Sequence, residues 1–155
     1  MPPEGLPSLI VQLDTTQRQL NDLLDSVADQ DWRPAPDEWS FRFIAGHLAI
    51  NEQECFLERI NGIASGREPR FAYYSNDDRD FSVLDLQDSL RAWHATRQKI
   101  FAIVQGMPEA AWSMTAIHAI AGRITLMDIL RSMLEHDREH LANLKPIMKT
   151  YLQFH

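Results

Sequence analysis

The chain has 155 residues, 45% of them hydrophobic, which is enough for one core and a single domain over residues 1–155. Fifteen Lys and Arg against 22 Asp and Glu give a formal charge of −7, and with no basic cluster to offset it a nucleic-acid phosphate backbone is excluded as partner. Cys55 is the one cysteine, so no internal disulfide forms and a cytoplasmic location is expected, while the lack of a basic N-terminal flank or a long apolar run argues against a signal peptide and a membrane span.

Four helical patterns follow one another, with no convincing alternating strand between them, and the expected class is all-α. The first runs from about Pro7, well placed in an opening turn, through Leu9, Leu13, Leu20, Leu24 and Val27, and ends before Arg33-Pro34-Ala35-Pro36. The second opens at Ser40, a good N-cap, with Phe41, Ile44, Leu48, Cys55 and Ile63 on one side and Phe43, Ile50 and Leu57 on another. A polar strip of His47, Asn51, Glu54 and Glu58 separates those sides, and the second apolar side offers either a subunit interface or packing against another helix. The third is expected from near Ser82, with Asp85 three residues on as a capping acid, through Leu86, Leu90, Trp93, Ile100, Phe101 and Val104 to Gly106. The fourth is announced by Thr125 with Asp128 three residues later and runs to about Leu152, with Pro146 expected to kink or break it. The connections, about 28–39, 64–81 and 105–124, are long enough to cover a site, and Phe71, Tyr73, Tyr74 and Trp112 in them line a pocket or close the ends of the bundle.

The fourth helix carries the chemistry. Its apolar stripe of Leu126, Ile129, Leu130 and Met133 passes into His136 and His140 before resuming at Leu144, Ile147 and Tyr151. Residues four apart lie one turn apart on one helix face, so both imidazoles can turn to one ion, and two buried imidazoles without a shared partner would leave polar nitrogens unsatisfied. A catalytic site of this kind takes three protein ligands and keeps a position open. His47, on the polar strip of a facing helix, is the leading third ligand and His118, in the loop before helix four, the second choice, while His94 and His155 lack ligand-spaced partners. Asp137, Glu139 and Glu54 are the acids placed to orient a ligand or accept a proton, although on a helix surface such acids are more often solvated. An anionic ligand would need Arg67, Arg70 or Arg123.

The order Trp39-Ser40, His47-Leu48-Ala49, Gly122-Arg123-Ile124-Thr125-Leu126 and His136-Asp137-Arg138-Glu139-His140-Leu141 resembles the DinB/YfiT-like superfamily over nearly the whole chain. The resemblance implies a four-helix bundle of up-down-down-up topology with a long crossover between helices two and three, frequently a homodimer. It also implies a metal triad at His47, His136 and His140, with zinc or nickel foremost as the divalent metal and iron or manganese as alternatives. Characterised relatives use a low-molecular-weight thiol as a partner in transfer or isomerisation, or hydrolyse small-molecule substrates. Asn143 stands where the commoner family pattern has Gln, which leaves the triad intact. Two function classes follow: a metal-dependent thiol transferase or hydrolase, or a non-catalytic dimeric bundle with a structural or absent metal, whose ion a fourth ligand such as His118 would close. A zincin-like peptidase would need Glu where Asp137 stands.

Overall fold

Caps written into the sequence set where the helices begin. In the computed structural model, which describes residues 2–155, helix α1 (Leu6–Asp25) carries Pro7 in its first turn. Helix α2 (Phe41–Asn51) is opened by Ser40, whose hydroxyl accepts from the Phe43 N–H at 3.1 Å. It runs without interruption through a π-helical segment, Glu52–Leu57, into α3 (Glu58–Ala64), so that the three form one rod. Helix α4 (Leu86–Gln105) begins later than the spacing from Ser82 predicts, because Asp85 is itself the N-cap, accepting from Asp88 N–H, while Ser82 closes a turn on Asp80. Helix α5 (Leu126–Phe154) has the expected reciprocal box between Thr125 and Asp128. Pro146 lies inside it without ending it. The carbonyl that loses its partner to the proline ring belongs to Ala142, an exposed residue, so it is left facing solvent rather than buried.

Among the described residues, the connections hold the one departure from an all-helical chain. Strand β1 (Arg70–Phe71) pairs in parallel with β2 (Thr115–His118), and β2 pairs antiparallel with β3 (Gly122–Thr125), Thr115 opposite Thr125 and His118 opposite Gly122. Runs of two and four residues are too short to show alternation against a helical background, which is why the sequence pattern passes over them. Gly122 takes φ 76° where the hairpin turns, a region open to glycine. The sheet matters because β1 belongs to the crossover between α3 and α4: bonds from Ile117 N–H to Pro69 and from Ala119 N–H to Phe71 pin that crossover against the bundle.

Helix α1 packs on α5 and α2 on α4. Two apolar clusters result, one around Leu9, Leu13, Ile60, Ile100, Leu130 and Met133, the other around Leu24, Phe41, Leu48, Trp93, Leu144 and Tyr151. On every rod a polar residue falls between the two apolar stretches: Thr16, Glu52, Arg97 and Asp137, the last three only 2%, 0% and 1% exposed. Arg97 donates to Glu52, to both oxygens of Asp137 at 2.9 and 3.2 Å and to the Leu13 carbonyl at 2.9 Å, and Thr16 donates to Asp137 at 2.7 Å. Burial alone would lower the pKa of Arg97, but Glu52 and Asp137 outweigh it and hold it above its ordinary value, so the guanidinium stays charged. The core stripe of α5 therefore runs Met133, Asp137, Leu141, Leu144, with the histidines at its edge rather than at its centre.

The second rod also differs from its expected faces. A π segment widens the turn, so His47, Asn51, Cys55 and Arg59 come to one side, while Glu54 swings to the crossover and Glu58 to solvent. Of the apolar side read as an interface, Leu57 is buried, and Phe43 packs at 4.8 Å on Trp39 and 5.1 Å on Phe81, so intramolecular packing takes them up. Gly46 permits that packing, since a Cβ there would stand 2.8 Å from the Cβ of Phe81.

Candidate metal centre

Helical spacing brings His136 and His140 together with their Nε2 atoms 3.1 Å apart. From the facing rod, His47 enters with its ring centroid 5.6 Å from that of His136 and 5.0 Å from that of His140. One nitrogen from each ring lies within 4.8 Å of the others, and among the described residues this is the one such group of three histidines, cysteines or acids. Ligands at about 2.0–2.1 Å from a tetrahedral ion stand roughly 3.3 Å apart, so the donors are close to the separation that one ion needs.

The rings are held in the state a ligand requires. Burial and the neighbouring imidazoles hold His136 down to about 3, and burial with His47 holds His140 down to about 4. Burial also lowers His47, against the opposing effect of the hydrogen bond it donates to Asn76. All three are neutral near pH 7, with nitrogen lone pairs available.

His47 is oriented by a chain of hydrogen bonds that sequence spacing could not reveal. Its Nδ1–H donates to Asn76 Oδ1 at 2.6 Å, Asn76 donates to the Tyr74 hydroxyl at 3.3 Å, and Tyr74 donates to Glu54 at 3.1 Å. Arg79 closes the chain on Glu54 and keeps that carboxyl below its usual range. With Nδ1 engaged, Nε2 of His47 is left for a ligand bond. Asn76 is only 1% exposed, yet it lies in the crossover, 29 residues from His47, and no periodicity connects them. Trp39 packs on the same ring, centroids 4.9 Å apart, so the Trp39-Ser40 pair does two jobs: Ser40 caps the helix that carries His47 and Trp39 walls its imidazole.

The histidines open on a cavity of about 420 Å³ that Tyr73 and Tyr74 of the crossover and the exposed Glu139 also line. Cys55 also lines it, its thiol pushed up by burial and therefore protonated. Asp137 is not part of this lining, since both its oxygens serve Arg97 and Thr16. His118 is outside the triad: its Nδ1 accepts from the N–H groups of Ile120 and Ala121 in the hairpin, beside a separate small cavity. His94 is exposed on α4, and His155 stacks on Tyr151. Phe71 and Trp112 pack against the core. Asn143 lies in an adjoining groove with Trp39 and His140.

A family model of the DinB superfamily matches residues 12–144. The chain belongs to the DinB superfamily. No curated protein matches the sequence. Among solved structures, YfiT from Bacillus subtilis, described as a probable metal-dependent hydrolase with an unusual four-helix bundle topology, is similar to this DinB-superfamily chain with a TM-score of 0.79 and 17% identity, over 97% of this chain and 93% of that one. At that identity the likeness speaks for the fold. No helix among the described residues is long and apolar enough to cross a membrane.

Proposed function

We propose that this DinB-superfamily protein is a metal-dependent enzyme in which His47, His136 and His140 hold a divalent ion beside a cavity for a small-molecule substrate. The observation that carries the reading is the convergence of three neutral imidazoles on one point of a cavity wall. Zinc or nickel suits three neutral nitrogen donors, as do iron and manganese. When bound, such an ion lowers the pKa of a water or a low-molecular-weight thiol and so supplies a nucleophile at neutral pH.

The protein groups divide the remaining work. Asn76 fixes the tautomer of His47, and Glu54, through Tyr74, places a negative charge at the far end of that chain. Glu139, exposed, next to His140 in the chain and part of the cavity lining, is assigned to take a proton from a nucleophile and pass it to solvent. Asp137 serves by holding Arg97, and thereby α5, in place. Hydrolysis is supported by the description of YfiT, and thiol transfer by the resemblance of the motifs. An up-down-down-up path, supported by the long segment between α3 and α4, a homodimer and a cytoplasmic location complete the proposal.

Protein purified without chelator or a nickel column is expected to carry about one equivalent of metal per chain, and His136→Ala to lose it. Metal analysis decides this, and a chain that never holds stoichiometric metal sinks the reading. Assays of ester or amide hydrolysis and of thiol conjugation to electrophiles then separate the two reaction types.

A further inference from the structure

We propose that Arg59 is an anion anchor, and that the substrate enters the cavity with a carboxylate held on this guanidinium and its reacting end toward the histidines. The inference rests on the reading of the histidines as a reaction centre. Arg59 lines the same cavity as the three histidines and is the one Lys or Arg among the described residues that do so. Its guanidinium is held rather than loose, stacked 5.4 Å from the centroid of Phe71 and donating to the Ala72 carbonyl at 2.8 Å. That bond uses one of five N–H donors, and among the described residues no carboxylate pairs with Arg59.

The surrounding charges give the cavity a direction. Asp77 and Glu139 line it near the histidines, with Asp77 Oδ1 3.9 Å from His47 Nδ1, so a carboxylate is repelled from that end. Arg59 instead acts on Cys55 and His118, and a second cavity of about 120 Å³ shared with His118 lies against it. In a chain of net charge −7 an anionic ligand gains nothing from the overall field, and a fixed guanidinium fork is what recognises a carboxylate. The arginines that the sequence offered for this role lie elsewhere: Arg67 and Arg70 are exposed outside the cavity, and Arg123 faces Glu68 at 3.6 Å.

In the cobalt-loaded full chain, thiolate absorption reports the binding of ω-mercaptocarboxylates of increasing length and of their primary amides. At the matching length the acid is expected to bind about tenfold more tightly than the amide, as one charge-assisted contact would give. Arg59→Gln is expected to abolish that preference without changing amide affinity, and Arg59→Lys to restore part of it. Equal affinity for acid and amide, or a preference that survives Arg59→Gln, overturns the anchor. In metal-free wild-type protein, succinate is expected to shift the Arg59 Nε–H resonance, and a static resonance overturns the anchor without any variant. Failure to take up cobalt instead defeats the metal reading, leaving the succinate titration to decide the anchor.

Discussion

At the scale of single residues, the centre depends on one asparagine that donates nothing to an ion. Without the Asn76 oxygen, the Nδ1–H of His47 is a buried donor without its partner, and the ring is free to turn or change tautomer. Asn76→Ala is therefore expected to weaken metal binding about 10–100-fold, as loss of a ligand's supporting hydrogen bond does, with helical content unchanged. Competition against a chromophoric chelator measures this, and wild-type affinity in the variant would show that the chain through Tyr74 and Glu54 does not set the ligand. The histidines themselves make the second prediction. In the folded, metal-free chain His136 and His140 protonate only near 3 and 4, whereas in the unfolded chain they do so near the ordinary 6.5. Below that value the unfolded state binds more protons, so stability falls as pH drops from 7 and levels off beneath the folded pKa values. Between pH 7 and 5 the loss is about 2 kcal/mol for each ring. Urea unfolding of chelated protein at both values tests it, with the paired variant His136→Phe/His140→Phe expected to flatten the profile. The triad was legible because four-residue spacing on a helix and a histidine within a facing helical pattern are local signals. Asn76 was not, because it acts from an irregular loop whose position depends on the pairing of Arg70 and Phe71 with Ile117 and His118, 47 residues further along the chain.

At the scale of elements, start signals read correctly where the capping side chain sits next to an apolar run, as at Ser40 and Thr125. Near Ser82, Asp85 three residues on as a capping acid invited a start one turn early, and the bond from the Asp88 N–H to the Asp85 carboxylate makes Asp85 itself the cap. The π segment is the deeper difference. An ideal helix carrying His47, Asn51, Glu54 and Glu58 on one strip would aim Glu54 and Glu58 at the histidines. The widened turn instead aims Cys55 and Arg59 there and buries Glu52 against Arg97. Local widening is costly, and its persistence is explained by what it satisfies at once: an ion pair on one side of the rod and a cavity wall on the other. A one-residue phase change leaves no mark on composition, so the faces of α3 could not be read from spacing alone. The buried charges did leave a mark. Arg97 lies four residues after Trp93 and three before Ile100, and Asp137 four after Met133 and four before Leu141, both in the middle of apolar stripes.

At the scale of the whole molecule, that pair of misfit charges links the fold to the site. Arg97 from α4 binds Glu52 at the start of the π segment, Asp137 beside His136 on α5, and the Leu13 carbonyl on α1, so one guanidinium joins all four rods. The ligands come from two of those rods, and their relative position is fixed where Glu52 and Asp137 meet on Arg97, five residues after His47 and one after His136. Arg97→Met leaves two buried carboxylates without a cation, with only Thr16 on Asp137 and Trp93 on Glu52 as donors, and is expected to cost about 3–5 kcal/mol, lowering Tm by roughly 6–20 °C. Metal affinity is expected to fall with it although no ligand is touched. Adding Glu52→Gln and Asp137→Asn removes the stranded charges and should return most of the stability, since a buried ion pair replaced as a unit is often close to neutral. It should return less of the metal affinity, because amides and a thioether do not reproduce the fork that holds the two rods in register. Thermal unfolding of metal-free protein and chelator competition separate the two effects. If Arg97→Met unfolds within about 1 kcal/mol of wild type, the network is not what joins the helices, and the position of His47 against His136 must come from apolar packing alone.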